Sequence, residues 1–408
     1  MQHKSTGRGR DVSRRGFLGG AAAAAPLLAP ALALAGEAKP KRKIKVGLVG
    51  CGGRGSWIAR LFQQHGGYEF VAVADYFQAV ADRCGTALGV DKTRRFAGLS
   101  GYKKVLDTGV EAMVLQVPPY FLPEHARAAV EAGRHVYMAK PVAVDAPGCL
   151  QILALGKQAT ARQRCLRVDY QMPTHPHNIE VAKRVRDGAL GPLAFAATFG
   201  YCRGFSDPPK QATIENRLRR LVWVNDVALS GDFITNYDIH AIDAALWVLG
   251  RRPVAAAGAS RICRPNPHGD SRDVCSVLFE FDDGLFLNHT AQGLRNNATG
   301  TLDCHLYGLK ANARLSYWGK AYVRGGTKHY GGGQVRNLYE TGARHNIAAF
   351  HRNVAAGRFD NPTVPRAVDG ALTCILGREA AARRRRLTMD ALLRENRRLE
   401  VDLTGLKA

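Results

Sequence analysis

Near its start the chain reads KVGLVGCGGRG from Lys45 to Gly55, and this stretch predicts the fold. The apolar residues before Gly50 favour a β-strand and the residues after Gly55 favour a helix, with Gly52 in the turn between them. Strand, glycine-rich turn and helix in this order are typical of a dinucleotide-binding Rossmann domain, whose turn lets the backbone approach the pyrophosphate. The turn residues expected to bind the cofactor are Gly50, Gly52, Gly53, Arg54 and Gly55.

Asp75 ends the next apolar run, about twenty residues after the last of these glycines. A carboxylate at this position can accept hydrogen bonds from the hydroxyl groups of the adenosine ribose. It also repels a 2′-phosphate group, so we expect NAD in preference to NADP.

The composition is that of a globular protein with an excess of basic residues. Of the 408 residues, 46% are hydrophobic, and the formal net charge is +24. The basic residues are mostly scattered and have no aromatic residues interleaved with them, so no nucleic-acid partner is expected. The nine cysteines include no C-x-x-C pair, which favours small core residues over a metal site or a disulfide framework.

Residues 1–35 have the features of an export signal. The paired Arg14 and Arg15 precede a short, mildly apolar run that ends in an Ala33-x-Ala35 cleavage pattern. The run is too short to span a membrane, and the paired arginines resemble a twin-arginine (Tat) signal. We therefore expect the Tat export machinery as a partner, a basic linker over residues 36–43, and a mature protein in the periplasm or outside the cell. After removal of the signal no integral membrane segment is expected.

Residues 44–168 alternate between predicted strands and helices. This pattern predicts an α/β Rossmann domain with a doubly wound parallel sheet. Ligands of such sheets bind beyond the carboxyl ends of the strands. Polar groups are predicted at three of these ends, namely Pro118 with His125, Lys140, and Asp169 with Tyr170. Of these residues, Pro118, His125 and Lys140 are expected to contact the cofactor.

Residues 169–408 follow a different pattern. Several runs alternate apolar and polar residues with short connections, and Asp282 to Gly284 read as a hairpin turn. This favours an α+β domain with an open, mainly antiparallel sheet, followed by C-terminal helices and a tail.

A helix is predicted within this domain from Asp232 to Leu249, ended by Gly250. Its apolar residues recur at helical spacing and form one face, while Asn236, His240 and Asp243 fall on another. Asn236 and Asp243 stand where they can orient the imidazole of His240, which predicts a catalytic role for this histidine.

These motifs, in this order, resemble those of the Gfo/Idh/MocA oxidoreductases. The matching segments are Gly50 to Gly55, Asp75, Gly133 to Pro141, and Asn236 to Asp243. The resemblance implies a Rossmann domain, an open sheet that shields the nicotinamide, and sugar or polyol substrates. It also implies homo-oligomers formed through that sheet.

Two positions depart from the family pattern. Ala139 stands where the family has a glutamate beside the lysine, and Asn236 stands where an acid usually precedes the histidine. A catalytically impaired protein that binds a nucleotide as a sensor or scaffold is therefore an alternative, although Lys140 and His240 are both present.

Lys140 and His240 are the predicted catalytic pair. Hydride transfer from a carbinol carbon requires a group that takes the hydroxyl proton. His240 is favoured as this base and Lys140 as a polariser and proton relay with a pKa lowered by burial, but the assignment between them is open. No metal is expected. The residues expected to contact sugar hydroxyl groups are Tyr170, His175, His177, Arg203 and Tyr237.

A second reaction, that of an NAD-dependent glycosidase, would use the same residues and is an alternative to a dehydrogenase. NAD-dependent glycosidases of the same family oxidise the sugar transiently, eliminate the glycosidic group and reduce the sugar again. In addition, an exported protein finds little free NAD beyond the cytoplasm. We therefore expect NAD to be tightly retained and recycled in a redox-neutral reaction.

Overall fold

A computed structural model of the chain describes residues 42–205, 207, 214–265 and 269–407. The predicted signal, residues 1–35, and most of the predicted linker lie outside the described residues. The first described half contains six strands and five helices, which alternate along the chain: β1 (Ile44–Val49), α1 (Gly53–His65), β2 (Tyr68–Asp75), α2 (Gln78–Leu88), β3 (Arg95–Ala97), α3 (Gly101–Leu106), β4 (Ala112–Leu115), α4 (Leu122–Glu131), β5 (His135–Ala139), α5 (Ala146–Ala161) and β6 (Leu166–Asp169).

The six strands form a parallel sheet in the order β3-β2-β1-β4-β5-β6, which confirms the predicted doubly wound Rossmann architecture. The chain reverses its direction of travel through the sheet between β1 and β4, so a crevice opens at their carboxyl ends. β4 is buried along its whole length, as its continuous apolar sequence predicts.

The second described half contains a larger sheet and the remaining helices: α6 (Pro176–Arg186), β7 (Leu193–Cys202), α7 (Ile214–Leu218), α8 (Val227–Ser230), α9 (Ile239–Leu249), β8 (Ala255–Arg261), β9 (Val274–Glu280), β10 (Phe286–Gly293), β11 (Thr301–Gly308), β12 (Ala311–Ser316), β13 (Lys320–Gly325), β14 (Tyr330–Gln334), α10 (Leu338–Ala355), α11 (Thr363–Arg383), β15 (Leu387–Thr388) and α12 (Met389–Glu395). Short 3₁₀ turns lie at Lys92–Arg94, Pro119–Phe121, Met172–Thr174 and Val222–Asn225.

The larger sheet has nine strands in the order β14-β13-β12-β11-β7-β10-β9-β8-β15. Its neighbours are antiparallel except for β7 and β10, which run parallel, so the prediction of a mainly antiparallel sheet is confirmed. Buried and accessible residues alternate along β9 and β10, as expected for a sheet with one packed face.

Two C-terminal helices return to the Rossmann sheet. On α10, Tyr339 stacks on Trp57 of α1 with ring centroids 4.4 Å apart, and the backbone oxygen of Ile347 accepts a hydrogen bond from the Tyr68 hydroxyl. Helix α11 packs between α5 and β8 and is buried along most of its length. The predicted division at residue 168 stays a prediction, because chain from beyond that point completes the core of the first sheet.

Within the described ranges, no helix combines the length and the apolar character needed to cross a bilayer. All nine cysteines are free, and most of them are buried, as the sequence predicts.

Candidate active site

A cleft opens at the carboxyl ends of β1, β2 and β4. Five of the residues that the sequence assigns to cofactor binding line it, together with side chains from beyond the Rossmann sheet. The five are Gly50, Gly52, Asp75, Pro118 and His125.

The glycine turn has the geometry that a dinucleotide requires. A Cβ atom at Gly55 would lie 1.8 Å from the Gly50 carbonyl oxygen, so only glycine allows the helix to start this close to the turn. At Gly52 a Cβ atom would meet nothing within 4 Å, because this position faces the open cleft. Helix α1 begins at Gly53 without a side-chain cap, which leaves its first N–H groups available to an anion.

Asp75 lies at the end of β2, at the rim of the cleft. Its carboxylate accepts hydrogen bonds from the backbone N–H groups of Cys51, at 2.8 Å, and Phe77, at 3.0 Å. These contacts fix the carboxylate and leave a further lone pair on each oxygen for a ribose hydroxyl group.

Replacing Asp75 with alanine is expected to weaken NAD binding about tenfold to a hundredfold. A hydrogen bond to a charged group contributes about 1.5–3 kcal/mol. The preference for NAD over NADP should narrow, because the repulsion of the 2′-phosphate disappears. Titration of both dinucleotides measures this, and equal NAD and NADP affinity in the unchanged protein would contradict the role of Asp75.

Arg54 turns from the glycine turn towards the interior. Its guanidinium lies 2.5 Å from the carboxylate of Asp169, which is fully buried at the end of β6. It also lies over the rings of Trp57 and Tyr339, at 5.4 and 5.1 Å from their centroids. Arg54 does not line the cleft, so the structure gives no support to its predicted contact with the pyrophosphate.

His125 is a buried histidine on α4. Its ring stacks on Tyr102 with centroids 4.1 Å apart. Burial lowers the pKa of His125 to about 3, so the ring is neutral where it borders the cleft.

Lys140 follows β5 directly and extends towards the second half of the chain. Its Nζ donates a hydrogen bond to the backbone carbonyl of Asn236 at 2.5 Å. Burial, followed by the nearby positive charge of Arg54, lowers the pKa of Lys140 to about 7, and the carboxylates of Asp169 and Asp238 oppose this shift. Burial thus lowers the pKa of Lys140, as the sequence predicts. An amine with a pKa near 7 can accept a proton at neutral pH.

His240 reaches the same region from α9. It is 8% exposed, and its ring meets the edges of Tyr317 and Tyr170 at centroid distances of 5.0 and 6.4 Å. Burial is the main cause that lowers the pKa of His240 well below its ordinary value, and the positive charges of Lys140 and Arg54 add to it. The imidazole is therefore neutral at physiological pH.

The helix that carries His240 differs from the predicted one. A wide π turn occupies Ile234–Asp238, and the α-helix begins only at Ile239. Asn236 therefore does not stand one α-helical turn before His240. The His240 Nδ1 atom is buried and has no hydrogen-bond partner among the described residues, so the prediction that Asn236 orients this ring is wrong.

Asp243 also has a different partner from the predicted one. Its carboxylate is fully buried and lies 3.1 Å from Nε of Arg366 on α11. The predicted polar face is not accessible either, because α9 is covered on both sides and His240, Asp243 and their apolar neighbours are all buried. Asp243 anchors α9 to α11, and its predicted role in orienting His240 is wrong.

A second buried pair, which was not predicted from the sequence, lies close to Lys140. Nε2 of His289 on β10 lies 3.3 Å from the carboxylate of Asp238, and its Nδ1 lies 3.0 Å from the Thr198 hydroxyl. Asp238, His289 and Cys275 have donor atoms within 4.8 Å of one another. They are the one group of possible metal ligands among the described residues. The expectation of a metal-free site stays a prediction. No local signal joins Asp238 to His289, since they meet only when β10 packs on the π turn.

The predicted substrate contacts do not form one cluster. Tyr170 is buried beside His240, and Tyr237 lies in the π turn with its hydroxyl 3.4 Å from the Tyr201 carbonyl. His175 caps α6, and His177 lies 2.6 Å from the Tyr330 hydroxyl on β14. Arg203 is exposed after β7. Only Tyr170 and Tyr237 lie next to the catalytic candidates.

Turnover is expected to rise with pH through about 7, the pKa of Lys140. Below this value the amine is protonated and cannot accept the hydroxyl proton, while above it the neutral amine predominates. A rate profile between pH 5 and 9 tests this for oxidation at saturating substrate. A flat profile over this range would contradict a proton-accepting role for Lys140.

Both halves of the chain match models of known domains. Residues 44–170 match the GFO_IDH_MocA oxidoreductase family model, described as an NAD-binding Rossmann fold. Residues 179–314 match the GFO/IDH/MocA C-terminal domain.

Among curated proteins, an inositol 2-dehydrogenase from Rhizobium meliloti is 24% identical over 234 residues, or 57% of this chain and 63% of the relative. The chain thus spans less than two thirds of this relative's length.

Solved structures share the fold. The aldose-aldose oxidoreductase from Caulobacter crescentus, complexed with glycerol, has a TM-score of 0.68 and 20% identity over 85% of this chain and 100% of that one. GenD2 from gentamicin A biosynthesis, in complex with NAD, has a TM-score of 0.70 and 20% identity over 88% of this chain and 99% of that one.

Proposed function

Because the chain belongs to the GFO/IDH/MocA oxidoreductase family, we propose that it is an NAD-dependent oxidoreductase acting on a carbinol group of a sugar or polyol. The observation that carries this proposal is the hydrogen bond from Lys140 to the Asn236 carbonyl, which lies in the π turn directly before the helix of His240. A partly buried amine with a pKa of about 7 and a neutral imidazole thus come together between the two halves of the chain.

NAD fits the cleft, since Gly52 faces open space and Asp75 is held ready for the ribose. The glycine turn and Asp75 would hold it, and the nicotinamide supplies the hydride acceptor when it is bound. The neutral amine of Lys140 takes the hydroxyl proton of the substrate through its lone pair, while one of its N–H groups donates to the Asn236 carbonyl, which fixes its position.

The proton transfer is assigned to Lys140, not to His240 as the sequence favours. A base works best when its pKa is near the working pH. Lys140 meets this condition at about 7, whereas the pKa of His240 lies well below its ordinary value. His240 is then the neutral partner that orients the substrate hydroxyl group.

The substrate class follows from the relatives, which include inositol 2-dehydrogenases. The test is a panel of inositols, polyols, aldoses and glycosides, supplied to the dialysed protein with and without added NAD. Formation of NADH or of an oxidised product supports the dehydrogenase. Release of the aglycone from a glycoside without net oxidation would instead favour a glycosidase.

We further propose that the protein is exported with its cofactor inside. The paired Arg14 and Arg15 and the Ala33-x-Ala35 pattern support export. Because little free NAD is available beyond the cytoplasm, the cofactor is retained and re-reduced or re-oxidised in place by a second substrate.

Changing Arg14 and Arg15 together to lysine is expected to leave the precursor in the cytoplasm. Recognition of a twin-arginine signal depends on the paired guanidinium groups, which lysine does not reproduce. Immunoblots of cytoplasmic and periplasmic fractions measure the distribution. Changing Arg8 and Arg10 together to lysine is the matched control. Undiminished periplasmic protein in the Arg14 and Arg15 variant would rule out this export route.

A homo-oligomer through the larger sheet is part of the proposal. The accessible face of this sheet carries a row of stacked rings across three strands, with Phe195 between Phe286 and Tyr307 at 5.7 and 4.5 Å. Leu278 on β9 is 36% exposed beside them. Contiguous apolar surface of this kind is typical of protein interfaces.

A further inference from the structure

The dinucleotide cleft is lined by both halves of the chain. Its inner wall is the glycine turn, Asp75 and Pro118. Three residues line it from the second half of the chain, namely Leu218 at the end of α7 and Arg220 and Trp223 between α7 and α8. We call residues Leu218–Trp223 the covering segment. A dinucleotide bound by the Rossmann turn would lie between the two.

The covering segment is held in place at both ends. The Arg219 guanidinium lies over the ring of Phe77, 4.4 Å from its centroid, at the β2 side of the cleft. Beyond the segment, the Asp226 side chain caps α8 by accepting hydrogen bonds from the N–H groups of Ala228 and Leu229. Asp226 also forms an ion pair with Arg217, so the chain on either side of the segment is tied together.

Arg220 lines the cleft, whereas the residues directly before and after it, Arg219 and Leu221, do not. Arg220 has a φ of 51°, in the left-handed region that residues other than glycine rarely adopt. Leu221 is 50% exposed and does not line the cleft. Strained backbone of this kind is common at ligand-binding positions.

The C-terminal tail contributes to the same rim. The backbone oxygen of Lys407 accepts a hydrogen bond from the N–H of Leu99 at 2.9 Å, and the N–H of Lys407 lies 3.3 Å from the Tyr76 hydroxyl. Leu99 and Tyr76 both line the cleft. Chain from beyond the Rossmann domain thus borders the cleft at two places.

Charge identifies what the covering segment recognises. Among the described residues that line the cleft, Arg220 is the only one with a permanent positive charge, because Arg54 lies outside the lining, paired with Asp169, and His125 is neutral. A pyrophosphate carries negative charge, for which an arginine is a preferred partner. Trp223 adds an indole surface and an N–H donor.

We propose that Arg220 and Trp223 are dinucleotide-binding residues, with Arg220 paired to the pyrophosphate and Trp223 packed against the bound cofactor. The covering segment then holds the dinucleotide in the cleft and slows its release. This inference rests on the proposed function and assigns to particular residues the retention that an exported enzyme requires.

The test compares Arg220→Ala, Arg220→Lys, Trp223→Ala and the control Leu221→Ala after bound dinucleotide has been removed. Calorimetry with NAD and with NADP gives Kd, and displacement of bound NADH gives the release rate. Arg220→Ala should raise Kd at least about tenfold for both dinucleotides, because both contain the pyrophosphate, a change of about 1.4 kcal/mol. Arg220→Lys should recover part of the loss, Trp223→Ala should speed release, and Leu221→Ala should resemble the unchanged protein.

Arg220 is exposed, so its replacement leaves the core intact, and circular dichroism checks the fold of the Trp223 variant. If the unchanged protein binds NAD and the Arg220 and Trp223 variants match it in Kd and release rate, the inference is overturned while the proposed function stands. A loss limited to NADP would also overturn it, since it would place Arg220 at a 2′-phosphate. If the unchanged protein binds neither dinucleotide, both proposals fail.

Discussion

Replacing Lys140 with methionine is expected to lower turnover by about 10²- to 10⁴-fold, the usual contribution of a positioned acid or base. Methionine keeps most of the apolar stem and removes the amine that takes the hydroxyl proton. The fold should survive, because the pKa of Lys140 is lowered to about 7 by burial, which means that the charged amine is disfavoured at this position. NAD binding should remain close to that of the unchanged protein.

The measurement pairs turnover on the best substrate of the panel with NAD titration of the same sample. Lys157 on α5 is exposed, so Lys157→Met is the matched control and should change neither quantity. Turnover of Lys140→Met within a few-fold of the unchanged protein would remove Lys140 from the mechanism. If Lys140→Met binds NAD fully but has lost turnover, the unchanged protein is an enzyme and not a protein that only binds nucleotide.

Replacing Gly52 with valine is expected to weaken NAD binding by about 10²-fold or more, which corresponds to about 2.8 kcal/mol. A Cβ atom at Gly52 meets no protein atom within 4 Å, so the variant should fold normally. The added side chain instead fills cleft volume that the pyrophosphate needs. Unchanged NAD affinity in a folded Gly52→Val protein would place the dinucleotide elsewhere.

Two other glycines separate this effect from damage to the fold. A Cβ atom at Gly55 would overlap the Gly50 carbonyl oxygen at 1.8 Å, so Gly55→Ala should destabilise the turn as well as abolish binding. In β14, a Cβ atom at Gly331 would meet only the His329 ring at 3.8 Å. Gly331→Val should therefore leave NAD binding unchanged, and thermal melts of all three variants distinguish the two mechanisms.

The Rossmann half was predictable because its signals are local. The glycine turn, the buried β4 and the aspartate at the end of β2 each depend on a few neighbouring residues. Lys140 could be placed at a strand end for the same reason. The larger sheet was predicted as mainly antiparallel, but the parallel pairing of β7 with β10 depends on contacts between distant residues.

The details of the catalytic region depend on long-range contacts that the sequence does not reveal. Helical periodicity assumes one regular α-helix, yet the π turn at Ile234–Asp238 shifts Asn236 away from His240. Asp243 meets Arg366 only because α11 returns beside α9. Similarly, Arg54 is drawn to Asp169 across the core, so the cation of the cleft is Arg220 from the second half.

The most direct test of the central claim, that this chain holds NAD for hydride transfer to and from a sugar or polyol, is mass spectrometry of the dinucleotide released when purified, dialysed protein is denatured. We expect NAD or NADH at close to one molecule per chain, shifted to the reduced form after incubation with a substrate polyol. Protein that releases no dinucleotide and turns over only with stoichiometric added NAD would contradict retention. Protein that releases none and binds none would contradict the claim itself.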